Sequence, residues 1–323
     1  MIIKDRIYGD LDIKSGVILD LINSQPLKRL RKISQDGAPH FIQPVRDVNR
    51  FEHSVGVWYL SKKFKVPLEE QIASLLHDVP HTAFSHVADF IYINEKHDFH
   101  EKFTNEVIAR SEIPKILNKN GISSSKVFSN DHFPLLENNL PDISLDRLDY
   151  FLRDGFTVGF LPKAVINLLL SEIHVKNDLF YFNDKQVAAM FTILFVSFSR
   201  LIWLDPTAHA AFFLMAGAIK EAINLRVLKE EDLFTDDETV LRILRKANSS
   251  KINNYLNSLV PGNEFEYVPK DEAEFFGLNK PRWIDPWVKT GTEMQRVSKL
   301  VPSISYYFEE FNSRYKYIGV RRR

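Results

Sequence analysis

The chain has 323 residues, 45% of them hydrophobic and 26% charged, which is the composition of a soluble globular protein with a full core. Its 42 basic and 42 acidic residues cancel, so no global positive field favours nucleic acid or an anionic membrane as a partner, and an anionic ligand requires a local cluster. The absence of cysteine excludes disulfides, zinc–thiolate sites and thiol nucleophiles.

Two segments bear on where the protein works. The first ten residues, "MIIKDRIYGD", carry charge where a signal peptide needs an apolar run. The longest apolar tract, residues 187–204, includes Arg200 and is followed by Asp205-Pro206, which favours a buried helix over a membrane span. We therefore expect a cytoplasmic protein that makes no membrane contact.

Apolar residues at helical spacing dominate the first part of the chain. Pro26 divides the segment 17–33 into two predicted helices. A further helix is predicted over 49–64, with His53 on its apolar stripe. Another is predicted over 67–79, because it begins with proline and acidic residues and has an inward stripe of leucine and isoleucine.

The polar residues of these helices lie where they can meet. His77 and Asp78 come at the end of a helix that Pro80 stops. Ser144 is a typical N-cap, and the helix that it starts carries Asp146 on its inward face. Several polar side chains are therefore predicted to point into a helical core.

Beyond these helices the pattern becomes mixed. Alternating apolar residues around an Asn-Asp turn predict a small β-hairpin over 173–182, and a long helical region follows over 185–228. From about residue 230 charge and proline increase, which indicates short strands and a helix near 292–300. The three terminal arginines are expected to form a solvated tail.

These elements predict an all-α fold, with a small β-hairpin in its helical core and a minor mixed α/β lobe at its C-terminal end. We expect the core to span residues 1–229 and the lobe to span residues 230–323. The apolar tract 187–219 is buried in this interpretation, although it could equally serve a contact between copies of the chain in a homo-oligomer.

His53, His77, Asp78 and Asp146, here called the ligand set, combine two imidazoles with two carboxylates. Mixed nitrogen and oxygen ligands suit one divalent metal ion, with Mn, Fe, Co, Ni, Zn and Mg as the possibilities. Three helices deliver the four groups, which is a common way to build a metal site in a helical core. A single buried histidine is more often a satisfied core residue, but two buried carboxylates without a cation would be costly.

Four blocks of the sequence carry a resemblance to a known family: "LKRLRKISQDG", "NRFEHSVGV", "LLHDVPHTAFSH" and "DRLDYFLRD". In this order they resemble blocks of the HD-domain deoxynucleoside triphosphate triphosphohydrolases and their uncharacterised bacterial relatives. The ligand set matches the H…HD…D signature of HD-domain phosphohydrolases, and the resemblance extends from about residue 5 to residue 228.

The resemblance implies roles for individual residues. The ligand set would bind the catalytic metal ion, His81 and His100 would act in acid/base chemistry, and Glu101 would orient the neighbouring histidine. The implied substrate contacts are Arg50, Arg147 and Tyr150 for phosphate, Gln35 and Asp154 for the sugar 3′-hydroxyl, and Arg200 for the pocket wall. Such chemistry needs a nucleophilic oxygen, neutralisation of phosphate charge and a proton for the leaving group.

The chain departs from the family pattern in three places. Pro80 stands where relatives have glycine-rich spacing, and it could re-aim His81. Asp36 stands where triphosphohydrolases of this type carry an apolar residue that crowds a 2′-hydroxyl, so a preference for deoxynucleotides is not implied. In the stretch 201–215, Trp203 and His209 are the substitutes for tyrosines and basic residues that contact sugar, base and phosphate.

Three functions remain open from the sequence. The first is a metal-dependent phosphohydrolase that acts on nucleotides and converts a (deoxy)nucleoside triphosphate into nucleoside and tripolyphosphate. The second is a nucleotide phosphomonoesterase or phosphodiesterase that uses the same site. The third is a non-catalytic, nucleotide-binding regulatory module. Segment 280–289, with Arg282 and two tryptophans, is interpreted as a packed turn, with base stacking or a cover over the site as the alternative.

Overall fold

A computed structural model describes residues 1–14, 16–92, 99–128, 133–278, 281–314 and 317–323, without the side chains of residues 100, 101, 278, 310 and 312–314. The elements of the first half are β1 Ile2–Asp5, β2 Gly9–Asp12, α1 Val17–Ile22, α2 Gln25–Leu30, α3 Pro39–Ile42, α4 Arg50–Lys63, α5 Leu68–Leu76, α6 Val87–Ile91, a 3₁₀ helix Phe99–Phe103, α7 Thr104–Ala109, α8 Ile113–Lys119, α9 Ser124–Val127 and α10 Leu145–Thr157.

The second half continues this helical pattern and adds most of the strands. Its elements are α11 Lys163–Glu172, β3 Ile173–Lys176, β4 Leu179–Phe182, α12 Lys185–Phe198, a π-helix Ser199–Trp203, α13 Pro206–Asn224, a 3₁₀ helix Glu230–Phe234, α14 Asp237–Lys246, α15 Ser250–Ser258, β5 Phe265–Val268, a 3₁₀ helix Lys270–Glu272, β6 Phe275–Leu278, β7 Trp287–Thr290, β8 Glu293–Arg296, α16 Val297–Leu300, α17 Ser303–Arg314 and β9 Tyr317–Arg322.

The helices that carry the site begin where the sequence predicts. Asn49 caps α4 by accepting a hydrogen bond from the backbone N–H of Glu52 at 3.0 Å. Ser144 caps α10 in the same way, with the backbone N–H of Arg147 as the donor. Because α5 ends at Leu76, the two residues that follow it are free to turn away from the helix axis.

The long apolar tract forms the core contact of α10. The ring of Phe151 lies 5.4 Å from that of Phe191, 5.0 Å from that of Phe195 and 6.0 Å from that of Phe198, and all four rings are buried. Each such ring contributes about 1.5–3 kcal/mol by leaving water. By length and composition alone Lys185–Trp203 could cross a membrane, a test that core helices of soluble proteins also pass; 39% of its apolar window is buried, including the three phenylalanines that contact Phe151.

The prediction of an all-α fold is wrong in its strand content. The described residues form three small sheets: β1-β2, β3-β4-β7-β8 and β5-β9-β6. Most of these strands have only four residues, which is too short for a clear alternation of apolar and polar residues. The hairpin over 173–182 is confirmed, with Asn177 and Asp178 at φ 50° and 57°, as its tight turn requires.

Of two expectations for the C-terminal part, the helix near 292–300 is confirmed only over its second half and the solvated tail is wrong. The segment near 292–300 begins as strand β8 and becomes helical only at Val297. The terminal arginines are not a free tail, because β9 is the central strand of its sheet and Arg321 pairs with Glu266 at 2.9 Å and Glu272 at 2.8 Å. Charge alone does not separate a tail from a strand whose arginines have acidic cross-strand partners.

One sheet joins segments that are distant in sequence. Tyr181 and Phe182 of β4 pair with Trp287 and Val288 of β7 in parallel. The division into residues 1–229 and 230–323 stays a prediction, and it has to accommodate a sheet that spans both parts.

Candidate metal centre and substrate cavity

The structure brings the ligand set together at one point. His53 comes from α4, His77 and Asp78 directly follow α5, and Asp146 lies in the first turn of α10. One potential ligand atom from each of His53, His77 and Asp146 lies within 4.8 Å of the others. Asp78 joins them through its Oδ1 atom, 3.4 Å from His77 Nε2.

Individual distances describe a tight cluster. His53 Nε2 lies 3.0 Å from Asp146 Oδ1 and 3.2 Å from His77 Nε2. His77 Nε2 in turn lies 3.7 Å from Asp146 Oδ1. The Nε2 atoms of His53 and His77 and the carboxylate oxygen of Asp146 therefore surround a space large enough for a single ion.

The other ring nitrogens decide what this space can hold. His53 Nδ1 lies 2.8 Å from Asp149 Oδ2, and His77 Nδ1 lies 2.8 Å from the carbonyl oxygen of Ser74. Since both oxygens can only accept, each Nδ1 carries the hydrogen, and each neutral ring presents a lone pair at Nε2. Lone pairs that converge with carboxylate oxygens fit a divalent cation, and a carboxylate behind a histidine is typical of metal centres.

The electrostatics favour positive charge at the same point. Burial alone would lower the pKa of His53, but hydrogen bonds to Asp146 and Asp149 outweigh it and raise this pKa to about 10. Burial would raise the pKa of Asp78, but the charges of Arg50 and the two histidines lower it to about 2. A proton or a metal ion is therefore strongly stabilised here.

Arg50 connects the metal centre to the rest of the site. Its Nη1 atom lies 2.7 Å from Asp78 Oδ2, and its Nε donates to Ser85 Oγ at 2.8 Å. The remaining Nη2 is buried and has no hydrogen-bond partner in the described part of the chain. Arg50 thus holds Asp78 in place and keeps one donor for another group.

A cavity of about 420 Å³ opens in front of the cluster. The predicted site residues that line it are Gln35, Arg50, His77, Asp78, His81, Asp146, Arg147, Tyr150 and Asp154. His53 is fully buried behind them and reaches the cluster through Nε2. A volume of this size is typical of a small-molecule site.

Three predicted residues are not brought to the cavity by the described structure. Arg200 is exposed and does not line it, because on the π-helix Ser199–Trp203 the inward positions are taken by Ser199 and Trp203. The backbone of His100 and Glu101 belongs to the 3₁₀ helix Phe99–Phe103, but their side chains lie outside the described residues.

Other lining residues were not among the predicted substrate contacts, although the segment of Arg282 had a cover over the site as its alternative interpretation. Arg46 comes from a loop, is buried, and donates to Asp36 Oδ2 at 3.0 Å. Arg282, from the C-terminal part, lies with its guanidinium carbon 5.6 Å from the ring centroid of Tyr150. Glu137 also lines the cavity. All three lie in irregular segments, where side-chain periodicity does not report direction.

Arg29, outside the cavity, holds the loop that carries His81. It donates to the carbonyl oxygens of Val79 at 2.6 Å and His81 at 3.0 Å, and to that of Thr235 at 2.8 Å. The loop after α5 is therefore tied through one guanidinium to the segment before α14.

Asp237, the first residue of α14, adds a second tie. Its carboxylate accepts from the backbone N–H of Ser34 at 2.9 Å and of Phe84 at 2.6 Å. Alongside it, the backbone N–H of Ala83 donates to the carbonyl oxygen of Leu233 at 2.7 Å. The loop that leads into Gln35 and the loop after His81 are thus both fixed to the segment 233–237.

Comparisons with known proteins agree with this geometry. The family model described as HD domain matches residues 50–154. The chain is 36% identical over 309 residues to the uncharacterized protein YdhJ of Bacillus subtilis, covering 93% of this chain and 94% of that protein. It is 30% identical over 315 residues to the metal-dependent phosphohydrolase cns2 of Cordyceps militaris, covering 94% and 90%.

More distant relatives share part or all of the fold. A deoxynucleoside triphosphate triphosphohydrolase SAMHD1 homolog of Dictyostelium discoideum is 25% identical over 288 residues, covering 77% of this chain and 55% of that protein. The crystal structure of a hypothetical protein from Aquifex aeolicus superimposes with a TM-score of 0.74 at 19% identity, covering 100% and 95%. That of a phosphohydrolase from Bacteroides thetaiotaomicron gives 0.73 at 18% identity, covering 99% of each chain.

Proposed function

The chain belongs to the HD-domain family of metal-dependent phosphohydrolases, and on that premise we propose that it hydrolyses nucleotides, releasing tripolyphosphate from a (deoxy)nucleoside triphosphate. The observation that carries the proposal is one cavity that is lined by His77, Asp78 and Asp146 of the ligand set, by arginines that include Arg50 with its unpaired Nη2, and by aromatic rings. A nucleotide presents phosphate, sugar and base to these groups.

The ligand set would hold the ion. One divalent ion bound there would supply a Lewis acid for phosphate oxygen and would lower the pKa of its bound water towards 7. The ion's identity stays open among Mn, Fe, Co, Ni, Zn and Mg, because imidazole and carboxylate ligands suit all of them. Asp149 contributes by fixing the ring of His53 so that Nε2 faces the cluster.

Arginines would neutralise the phosphate oxygens. Arg50 has a free Nη2 beside Asp78, and Arg147 uses Nη1 on the carbonyl oxygen of Asp142 while its side chain lines the cavity. Arg282 adds a third guanidinium at the same cavity. Planar guanidinium groups pair with phosphate through two parallel hydrogen bonds, which both neutralises and orients it.

The proposed reaction needs one proton transfer. Water adds its hydroxyl to the α-phosphorus, the bond from that phosphorus to the 5′-oxygen breaks, and the 5′-oxygen takes a proton as the nucleoside leaves. His81 is buried at the cavity wall with Nε2 3.3 Å from Asp78 Oδ1, which supports an acid/base role. The roles of His100 and Glu101 stay predictions from the resemblance.

Aromatic residues would receive the nucleoside. Tyr150 and Trp203 line the cavity with ring centroids 5.1 Å apart, edge to face. His209 and Phe212 line it as well, so the changed stretch 201–215 does reach the cavity. Aromatic faces stack on any base, which supports a nucleotide substrate without selecting a base.

We test the proposal by measuring the metal content of the purified protein and then incubating it, with that metal, with a panel of nucleotides. We expect nucleoside and tripolyphosphate in equal amounts, identified by chromatography. Asp146→Asn should lose both bound metal and at least about a thousandfold in activity. Asp178→Asn, the same change at an exposed turn residue, should lose neither.

Other outcomes of this experiment would contradict the proposal and select one of the alternative functions. Orthophosphate from a monophosphate, or opening of a cyclic dinucleotide, would select the phosphomonoesterase or phosphodiesterase alternative. Tight nucleotide binding by metal-loaded protein without turnover of any substrate would select the non-catalytic regulatory module.

We also propose a cytoplasmic protein that assembles as a homo-oligomer. Ile193 and Leu201, on the apolar tract 187–219, are 46% and 58% exposed, which supports a contact between copies. Sedimentation of the purified protein across a concentration series tests this, and a monomer at all concentrations would contradict it.

A further inference from the structure

One face of α10 contributes three residues to the cavity wall, one after another along the helix. Asp146, Tyr150 and Asp154 follow one another at intervals of four residues and all line it. Each step is about 6 Å along a helix at 1.5 Å per residue. Asp154 therefore lies about 12 Å along the helix from the metal centre, with an aromatic ring between them. This is where the sugar lies if the phosphates reach the metal centre.

The wall around Asp154 consists of oxygen acceptors. Asp36 lines the same cavity, with Oδ2 held by Arg46 Nη1 at 3.0 Å, while its Oδ1 has no donor among the described residues. Arg46 is itself fixed, because its Nη2 donates to the carbonyl oxygen of Ile202 at 2.6 Å. Asp36 therefore presents one acceptor atom in a set position.

Gln35 and Asp154 add further acceptors. Gln35 Oε1 is buried and has no hydrogen-bond partner in the described part of the chain. Asp154 is 7% exposed and accepts from Trp203 Nε1 at 3.1 Å through Oδ2 alone. Burial and the nearby charge of Asp36 raise the pKa of Asp154 to about 7, which is the signature of a carboxyl short of donors.

A buried acceptor without a donor, such as Gln35 Oε1, is costly unless water or a ligand supplies the hydrogen. A 2′-deoxyribose offers one hydroxyl to this wall, whereas a ribose offers two adjacent hydroxyls. Resting on the proposed function, we propose that Gln35, Asp36 and Asp154 receive the 2′- and 3′-hydroxyls of a ribose, so that the chain prefers ribonucleotides to deoxyribonucleotides. Asp36 is the residue that decides between the two.

Two other ligands for the wall fit less well. An amino group of a base is also a donor, but it lies farther from the phosphates than the sugar does. A second metal ion needs net negative charge, and here Arg46 already neutralises Asp36. The sugar is therefore the occupant that both the distance and the charge favour.

The test measures binding rather than turnover, so that it does not depend on the reaction. Calorimetry compares nucleoside triphosphates that differ only in the 2′-oxygen, ATP with dATP and GTP with dGTP, on the wild-type protein and on Asp146→Asn. We expect at least about tenfold tighter binding of the ribonucleotide in each pair, because a site built for a hydroxyl discriminates against its absence.

Variants of Asp36 then identify the source of the preference. Asp36→Leu should weaken ribonucleotide binding and leave deoxyribonucleotide binding within about twofold, removing the preference, whereas Asp36→Asn retains an acceptor and should keep most of it. Thermal melting checks that both variants are folded. If neither variant folds, the comparison of ribonucleotide and deoxyribonucleotide binding by the wild-type protein still tests the inference.

The outcomes separate this inference from the proposed function. Equal binding of both members of each pair, preference for the deoxy form, a preference retained in folded Asp36→Leu, or no nucleotide binding at all would overturn the inference. A ribose preference in binding with no turnover of any nucleotide would overturn the proposed function and leave the inference standing.

Discussion

The two ends of the cavity are built in different ways. At the metal end a chain of buried groups holds the ring of His53. His53 is held by Asp149, Asp149 by Arg153 at 2.8 Å, and Arg153 by Asp5 at 2.9 Å. At the far end Asp36 and Asp154 each accept one side-chain hydrogen bond within the described part of the chain, from Arg46 and Trp203 respectively. The metal end is preorganised by its own protein network, whereas the far end is left to be completed by a ligand.

We expect this difference to assign the reaction to the metal end of the cavity and substrate selectivity to the far end. A network of buried, mutually satisfied groups cannot change one member without leaving another unpaired, so it is suited to holding one geometry. A wall with spare acceptors can change residue by residue and alter what it binds. We therefore expect damage at the metal end to abolish activity and damage at the far end to redirect it.

The largest expected effect comes from breaking the network behind the metal. Asp149→Asn should weaken metal affinity about 10–100-fold, because His53 loses the carboxylate that orients it. It should also destabilise the protein by about 3 kcal/mol, since the buried Arg153 keeps only Asp5 of its two carboxylate partners. Metal titration and thermal unfolding measure both, with Asp178→Asn as the matched exposed control. Unchanged metal affinity in a folded variant would contradict the preorganisation of this end.

A second prediction concerns Asp237, which fixes loops at both ends. Burial raises its pKa to about 7 from an ordinary value of 3.8. A raised pKa in the folded state means stability that is present below about pH 4 and lost as pH rises to about 7.

Wild-type protein should therefore lose up to about 1.4 kcal/mol per pH unit relative to Asp237→Asn between these limits, and the difference should level off above pH 7. Denaturant unfolding at a series of pH values measures it. Parallel pH profiles for the two proteins would show that Asp237 does not titrate in this window.

A smaller effect is expected from Arg282 on the wall of the cavity. Arg282→Ala should raise KM about tenfold, with kcat and metal affinity unchanged, because one charge-assisted contact to phosphate is lost. Arg242→Ala, at an exposed position of α14, is the matched control. A fall in metal affinity instead would show that the two ends are coupled rather than separate.

The smallest effect is expected from Trp203. Trp203→Phe retains a ring beside Tyr150 but removes the indole donor to Asp154. We expect KM to change about fivefold and kcat to stay the same, because a single neutral hydrogen bond contributes about 1 kcal/mol. Steady-state kinetics with a ribonucleotide measures this, and a large loss of kcat would place Trp203 in the chemistry itself.

The contrast also explains what could be predicted from the sequence. His53, His77 and Asp146 lie on or beside helices, where apolar stripes and caps report which way a side chain faces. Their convergence could therefore be predicted before the structure was known. Apart from the hairpin over 173–182, most strands of the three sheets could not be predicted in this way, and neither could the exposed position of Arg200, because four-residue strands and a π-helix have no strong period.

The residues at the far end of the cavity were harder to predict from the sequence, for a different reason. Arg46 and Arg282 reach the cavity from irregular segments more than 200 residues apart in sequence, and only tertiary packing brings them together. Asp36 was visible as a departure from the family pattern, but its fixed position depends on Arg46. The sequence therefore raised the question of whether the site prefers ribose or deoxyribose. The proposed answer depends on the contacts of Asp36, which the sequence alone does not give.

The ties made by Arg29 and Asp237 have a consequence for the chain as a whole. Both hold loops of the candidate site against residues 233–237, and so the last third of the protein supports the part that contains the predicted metal ligands. A chain cut after residue 229 would keep the whole HD motif, but Arg29 would lose two of its carbonyl partners, and the backbone amides of Ser34, Ala83 and Phe84 would lose their acceptors. We therefore expect a truncated protein that contains only residues 1–229 to be much less stable than the full chain.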